Sequence, residues 1–482
     1  VSNVSINPAT GEEIFRFAFH SDVDVDAVID VAQAAQLSWK TRGIGERTAL
    51  LSRSGQVLRA NAERYARLIT LEMGKPRAEA LAEIEKCAWN CDFYAQHAAD
   101  FLADEPVETG AQASSVVFDP LGVVLSIMPW NFPFWQFFRF AAPALAAGNG
   151  IVLKHAKNVP QSALACVDVL RQAGMPGGLA GAIFVENKDV ARIIADSRIA
   201  GLTLTGSTGA GAIVASQAGQ ALKRQVLELG GSDPFIVLAD ADVERAARVA
   251  VKARFLNAGQ SCVNAKRFII EEAVADRFTE AFCRSVAALR IGDPWAPETD
   301  VGPLARADLR DALHSQVVRS VAAGAKLRIG GEAVEGPGFF YRPTVLDGVT
   351  EAMPCFVEET FGPLAAISRA KDADDAVRLA NSTEFGLGAS LWTASAERAR
   401  RIMHQLESGA VFVNAMVASD PRLPFGGIKR SGYGRELGRY GIREFTNIKS
   451  VWIEATDLLP APTDRRKSDA SCHIAPEHDQ AA

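Results

Sequence analysis

From residue 150 onward, short apolar runs alternate with helical patterns: 151–154 then 161–173, 182–185 then 189–196, 202–204 then 210–218. Parallel strands cannot be joined by tight turns, so this repetition builds βαβ units around a parallel sheet. A second run starts at 235–238 and continues through 268–270 to 411–413, enough for a second α/β lobe. The 482 residues exceed the size at which a single core stops growing, so two or more lobes are expected. The boundary is placed near Gly230-Gly231, which sets Glu228 in the cleft between lobes. Upstream, 22–75 has the periodicity of two or three helices, with Asp and Ser positions able to cap them. Between residues 115 and 127, two β-rich runs flank Asp119-Pro120-Leu121-Gly122, placed as a turn places them.

Composition narrows the function. A hydrophobic share of 48%, a charged share of 22% and a net charge of -6 without long charged blocks argue against nucleic acid or an anionic membrane as partner. No apolar run reaches the ~18 residues of a membrane span. No signal peptide opens the chain, so a cytoplasmic location is expected. The seven cysteines form neither a disulfide framework nor a paired zinc pattern. Cys87 and Cys91 lie one helical turn apart but have no further ligand at metal spacing, and read as packing residues. The 459–482 tail, rich in Pro, Asp, Arg, Ser and His, reads as disordered; its Cys472, His473 and His478 fix no coordination geometry. No metal site is expected.

Three separated segments carry the chemistry. Asn257-Ala258-Gly259-Gln260-Ser261-Cys262 puts a cysteine in a polar, glycine-containing loop after a helix, as a nucleophile requires and a core cysteine does not. Sulfur attacks a carbonyl as the thiolate, so the site is expected to lower its pKa with backbone amides or nearby positive charge, including that of a bound oxidised nicotinamide. Asn131, in Pro129-Trp130-Asn131-Phe132-Pro133, can donate with the Cys262 backbone N–H to the alkoxide that forms. Glu228, 34 residues before the cysteine, can deprotonate the water that resolves a thioester if burial raises its pKa. Gly206-Ser207-Thr208-Gly209-Ala210-Gly211 follows a strand and opens a helix, where backbone amides and the helix dipole face a pyrophosphate; Gly206, Ser207 and Gly211 are the candidates. It is not the GxGxxG fingerprint. Lys154 ends another strand at the same expected sheet edge.

On these motifs, from Asn7-Pro8-Ala9-Thr10-Gly11-Glu12 to Glu454, the chain resembles the NAD(P)-dependent aldehyde dehydrogenase superfamily. The resemblance extends to Glu359-Thr360-Phe361-Gly362-Pro363 and to 424–432. It implies an α/β fold with a Rossmann-like cofactor domain (1–103 and 122–229), a catalytic domain (230–444) and a small β oligomerisation extension (104–121 and 445–458). It implies a homodimer or a dimer-of-dimers tetramer, a free β-hairpin edge making the same suggestion physically. By the same resemblance Glu359 holds the nicotinamide ribose and Phe361 backs the ring, with Trp130 also at the cofactor.

Two positions refine the expectation. Where many NAD-preferring members carry a glutamate three residues after the strand-end lysine, this chain has Lys157, an ammonium that attracts a 2′-phosphate; NADP is expected to be accepted alongside or ahead of NAD. Arg139, eight residues past Asn131, stands where succinate-semialdehyde dehydrogenases use an arginine for the distal carboxylate. Ser419 and Trp135 join it as substrate residues, and 419–434 resembles the bacterial branch of that group. The branch's second arginine is replaced by Leu256, leaving Arg422 or Arg254 to compensate. The expected reaction is oxidation of succinate semialdehyde to the acid through a cysteine thioester. The alternatives are a dehydrogenase of neutral aliphatic or aromatic aldehydes, a CoA-acylating enzyme, which Glu228 disfavours, and a noncatalytic protein on the same fold. For Arg139 the alternative is a structural ion pair.

Overall fold

A computed structural model describes residues 2–454. The calls made on 459–482, and on the end of the 445–458 segment, lie outside the described residues. Two mainly parallel sheets organise the rest. One has six strands in the order Gly432–Tyr433, Arg224–Glu228, Ile199–Thr205, Val123–Met128, Gly150–His155, Ala180–Ile183. All neighbours are parallel except the first pair. Its central strands are buried on both faces, which is why they read as unbroken apolar runs. Period-two alternation sends Val124, Met128, Ile151 and Leu153 into one core and Val123, Leu125, Ile127 and Val152 into another.

Val123–Met128 is laid down first, Gly150–His155 and Ala180–Ile183 extend the sheet one way, and Ile199–Thr205 and Arg224–Glu228 return to the other side. This reversal opens a crevice at the carboxyl ends of Val123–Met128 and Ile199–Thr205, where open α/β sheets hold ligands.

The second sheet has seven strands in the order Lys326–Ile329, Thr344–Asp347, Leu364–Ala370, Ala265–Glu271, Asp233–Val237, Gly388–Trp392, Ala410–Val413. Only its first pair is antiparallel. All seven strands come from 230–444. The two-residue strand Gly432–Tyr433 comes from the same span yet joins the six-stranded sheet, pairing Gly432 with Glu228 and Tyr433 with Leu227.

The 22–75 region forms three helices, Asp22–Trp39, Ile44–Ala60 and Ala62–Met73. Ser21 and Asp24 close a capping box on the first. The 25-residue helix Arg77–Phe101 follows. The two runs flanking Asp119-Pro120-Leu121-Gly122 are both strands, in different sheets. Ala113–Pro120 pairs antiparallel with Thr446–Ile453 and Glu105–Pro106, whereas Val123–Met128 is central in the six-stranded sheet. Proline and glycine encode the change of direction, but burial selects the partner: Val123–Met128 is buried throughout, Ala113–Pro120 only in part. Among the described residues, no helix is long and apolar enough to cross a membrane.

Candidate active site

A cavity of about 950 Å³ occupies the crevice. Trp130 and Asn131 come from the loop after Val123–Met128, Gly206 and Ser207 from the loop after Ile199–Thr205, and Lys154 from Gly150–His155; all five line it. Ser207 caps the helix Thr208–Gln220 by accepting from Ala210 N–H at 3.3 Å. Lys154 Nζ donates to Asn187 Oδ1 at 2.9 Å, and burial, with Lys157 adding, lowers its pKa. Lys157 is exposed on the same wall, and among the described residues no carboxylate oxygen lies within 4.0 Å of its ammonium. Gly211 does not line the cavity. It lets the helix pack against the strand end: a Cβ there would meet Leu229 at 2.4 Å.

Glu359 and Phe361 line the end nearest Cys262. Gly231 N–H donates to Glu359 Oε1 at 3.0 Å, Lys266 Nζ lies 3.4 Å from the same oxygen, and a Cβ on Gly230 would meet Glu359 Oε2 at 2.6 Å. Phe361 packs edge-on to Trp130, with centroids 5.7 Å apart. Two ammonium groups, a helix N-terminus, a carboxylate and aromatic walls fit the parts of a nicotinamide dinucleotide phosphate: anion, pyrophosphate, ribose hydroxyls and ring.

The cysteine loop is held by unusual backbone. After the helix Val243–Phe255, Asn257 (φ 57°), Ala258 (φ 51°) and Gly259 (φ 74°) are all left-handed. Gly259 is obligatory, since a Cβ would meet Gly362 O at 2.2 Å. Asn257 N–H donates to Glu79 Oε2 at 2.7 Å, and Asn257 Nδ2 donates to Asn131 O at 2.9 Å. Asn131 Nδ2 donates to Gln260 O at 3.1 Å, which brings the oxyanion candidate beside the nucleophile loop. Lys266 Nζ donates to the carbonyls of Ser261 at 3.0 Å and Cys262 at 2.8 Å.

A second cavity, of about 590 Å³, is lined by Phe132, Trp135, Arg139, Ser419 and Phe425. Cys262 lines both cavities, and among the described residues it is the only one that does. Burial pushes the Cys262 thiol up to about 11, the nearby Arg139 and Lys266 cations only partly opposing it.

Glu228 is 2% exposed and lines neither cavity, contrary to the cleft position expected for it. Both carboxyl oxygens lack a hydrogen-bond partner, and Oε1 lies 2.7 Å from where a Cβ on Gly426 would stand. Burial, with Glu436 adding, pushes its pKa well up against the pull of Arg139 and Arg435. Arg139, 2% exposed, is in an ion pair with Glu436, donates to Thr205 Oγ1 at 3.2 Å and stacks over Phe425 at 4.7 Å. The ion-pair alternative for Arg139 is therefore realised, although its side chain also lines the substrate cavity.

Neither arginine offered as compensation for Leu256 faces that cavity. Arg422 lies on the surface, paired with Asp420 at 2.7 Å. Arg254 is buried and donates to the carbonyls of Leu364, Thr360 and Gly362, tying the Glu359 segment to the cysteine loop.

Sequence reading missed Glu79, Glu83 and Lys86, which line the substrate cavity from the helix Arg77–Phe101. Their spacing of four and three was the available signal: a charged stripe turned toward the core. Glu83 pairs with Lys75 and accepts from the N–H groups of Phe134 at 2.9 Å and Trp135 at 3.0 Å. Lys75 in turn donates to Asn131 O at 3.0 Å.

A nucleotide-type crevice thus meets a second chamber at one cysteine, the layout of a cofactor-dependent enzyme with a candidate nucleophile between its two ligands. The chain belongs to the aldehyde dehydrogenase family, which it matches over residues 2–451. It is 49% identical over 449 residues to the probable NADP-dependent succinate-semialdehyde dehydrogenase of a Synechocystis species, covering 93% of this chain and 99% of that one. The NAD(P)-dependent succinate semialdehyde dehydrogenase of Escherichia coli is also 49% identical, with coverage of 93% and 97%. The crystal structure of the Streptococcus pyogenes succinic semialdehyde dehydrogenase with NADP+ superposes with a TM-score of 0.92 at 37% identity, covering 94% of this chain and all (100%) of that one.

Proposed function

We propose that this chain oxidises succinate semialdehyde, or a closely similar ω-carboxylated aldehyde, to the acid with NADP+, NAD+ serving as a second acceptor. The observation that carries this reading is Cys262 at the junction of a phosphate-ready crevice and an aromatic chamber with cationic groups in its wall. The names of the relatives support the substrate class, and the exposed Lys157 supports the 2′-phosphate.

The Cys262 thiolate forms a bond to the aldehyde carbon, and the carbonyl pair moves onto oxygen. There the Cys262 backbone N–H donates together with the Asn131 amide hydrogen not engaged by Gln260. The bound dinucleotide supplies a hydride acceptor for the aldehydic hydrogen. Cys262 then holds the acyl group as a thioester. Glu228 turns from its buried position toward Cys262 and takes a proton from water; the water oxygen bonds the acyl carbon, the carbon–sulfur bond breaks, and sulfur leaves as thiolate. In the buried position the raised pKa keeps the carboxyl protonated, so leaving that position is what lets it ionise and act as the base.

The same reading keeps the cofactor, catalytic and oligomerisation segments at the boundaries given above, with Thr446–Ile453 as the dimer edge. It places the protein in a reducing compartment, in keeping with six free cysteines among the described residues. A second reading, a neutral-aldehyde dehydrogenase, is favoured by one observation: Glu436 already neutralises Arg139. Steady-state kcat/KM for succinate semialdehyde and for butanal, each with NADP+ and NAD+, separates the two. The expected result is a preference of at least about tenfold for the acidic aldehyde. Equal values would overturn the substrate assignment.

A further inference from the structure

The substrate chamber contains a cation that pairs with no acid. Lys86 Nζ lies over the Trp135 ring at 4.5 Å and donates to Ser419 Oγ at 2.7 Å. Among the described residues no carboxylate oxygen lies within 4.0 Å of it, whereas Arg139 is paired with Glu436; Arg248 and Lys252 line the same chamber without an ion pair but are exposed, while Lys86 is half-buried. Its two contacts are therefore neutral: a ring face and a hydroxyl. An ammonium has three donor hydrogens, and Ser419 takes one.

Position supports the same conclusion. Cys262 stands where the chamber meets the nucleotide crevice. Lys86 and Ser419 stand where the chamber meets an open recess on the other side of their side chains, lined also by Trp89 and Asp420. An aldehyde whose carbonyl reaches the sulfur thus has its far end in the chamber that the ammonium and the hydroxyl line.

We propose that Lys86, with Ser419, is the group that receives the distal carboxylate and sets the preference for an acidic aldehyde, taking the place of the arginine that Leu256 replaces. This deepens the succinate-semialdehyde reading and rests on it. Burial, with Arg139 adding, lowers the Lys86 amine to about 8, so it remains mostly charged at neutral pH, and a bound carboxylate supplies the ion-pair partner that this ammonium lacks. Arg139, already neutralised, orients the aromatic wall through Phe425.

The test compares kcat/KM for succinate semialdehyde and butanal in the wild-type enzyme, Lys86→Met and Lys86→Gln, with melting temperatures as the check on folding. Lys86→Gln retains a donor toward Ser419 and is the deciding variant if Lys86→Met does not fold. The ratio of the two values should fall roughly tenfold or more in the variants, through KM for the acidic aldehyde. Isothermal titration of the cofactor-free proteins with succinate should show the same loss in affinity. A wild-type preference that survives in Lys86→Gln overturns the role of Lys86 and leaves the substrate reading standing. Absence of preference in the wild-type enzyme overturns both.

Discussion

Cys262, the proposed nucleophile, is held in its protonated form by its surroundings, because burial outweighs the two cations beside it. Deprotonation therefore has to be promoted when ligands bind. In the cofactor-free enzyme, inactivation by iodoacetamide should keep accelerating from pH 7 to pH 9.5, since the thiolate fraction grows toward a midpoint of about 11. A plateau below pH 8 would contradict this. Glu228 poses the complementary problem of a base stored away from the cavities. Glu228→Gln should preserve the first burst of reduced cofactor in stopped flow and slow steady-state turnover by about 10²–10⁴; loss of the burst would show that Glu228 acts before acylation. Both residues could be singled out as candidates from sequence because their motifs are short and contiguous. Their resting states were not legible there, because a pKa and a rotamer depend on what packs around the side chain, here Glu436 and Gly426, some 200 residues away from Glu228 in the chain.

At the level of elements, Arg77–Phe101 deserves its length for more than packing: one stripe of it supports both the cysteine loop, through Glu79, and the Asn131 loop, through Glu83 and Lys75. Glu83→Ala leaves the 1%-exposed Lys75 without its counter-charge and should destabilise the protein by about 3–5 kcal/mol in urea unfolding. A change below about 1 kcal/mol would mean that the pair adds little. Helix and strand identities in the βαβ runs were legible because the inner strands carry short apolar runs and several helices begin at a capping or proline residue, as at Ser207 and Pro160. Strand partners were not legible: the turn before Gly122 fitted a hairpin equally well, and only the burial of Val123–Met128 on both faces decides against it. The charged stripe on Arg77–Phe101 was hidden for a related reason, since its burial comes from elements distant in sequence, including 416–419.

For the molecule as a whole, the three-stranded sheet leaves apolar surface on its outer strand, with Ile448 52% and Trp452 56% exposed. An even spacing puts both on one face of Thr446–Ile453. The double variant Ile448→Glu and Trp452→Glu should shift the assembly toward monomer in sedimentation velocity; an unchanged mass would place the oligomer contact elsewhere. The sheet connecting the lobes is more constrained. Gly432–Tyr433 stitches the later half of the chain onto the edge of the earlier one, directly beside Glu228, so the two chambers are not prised apart as a clamshell. Among the described residues their only common wall is one sulfur-bearing residue. On the proposed reading the acid and the dinucleotide leave from separate rooms, so neither has to wait for the other to clear its way.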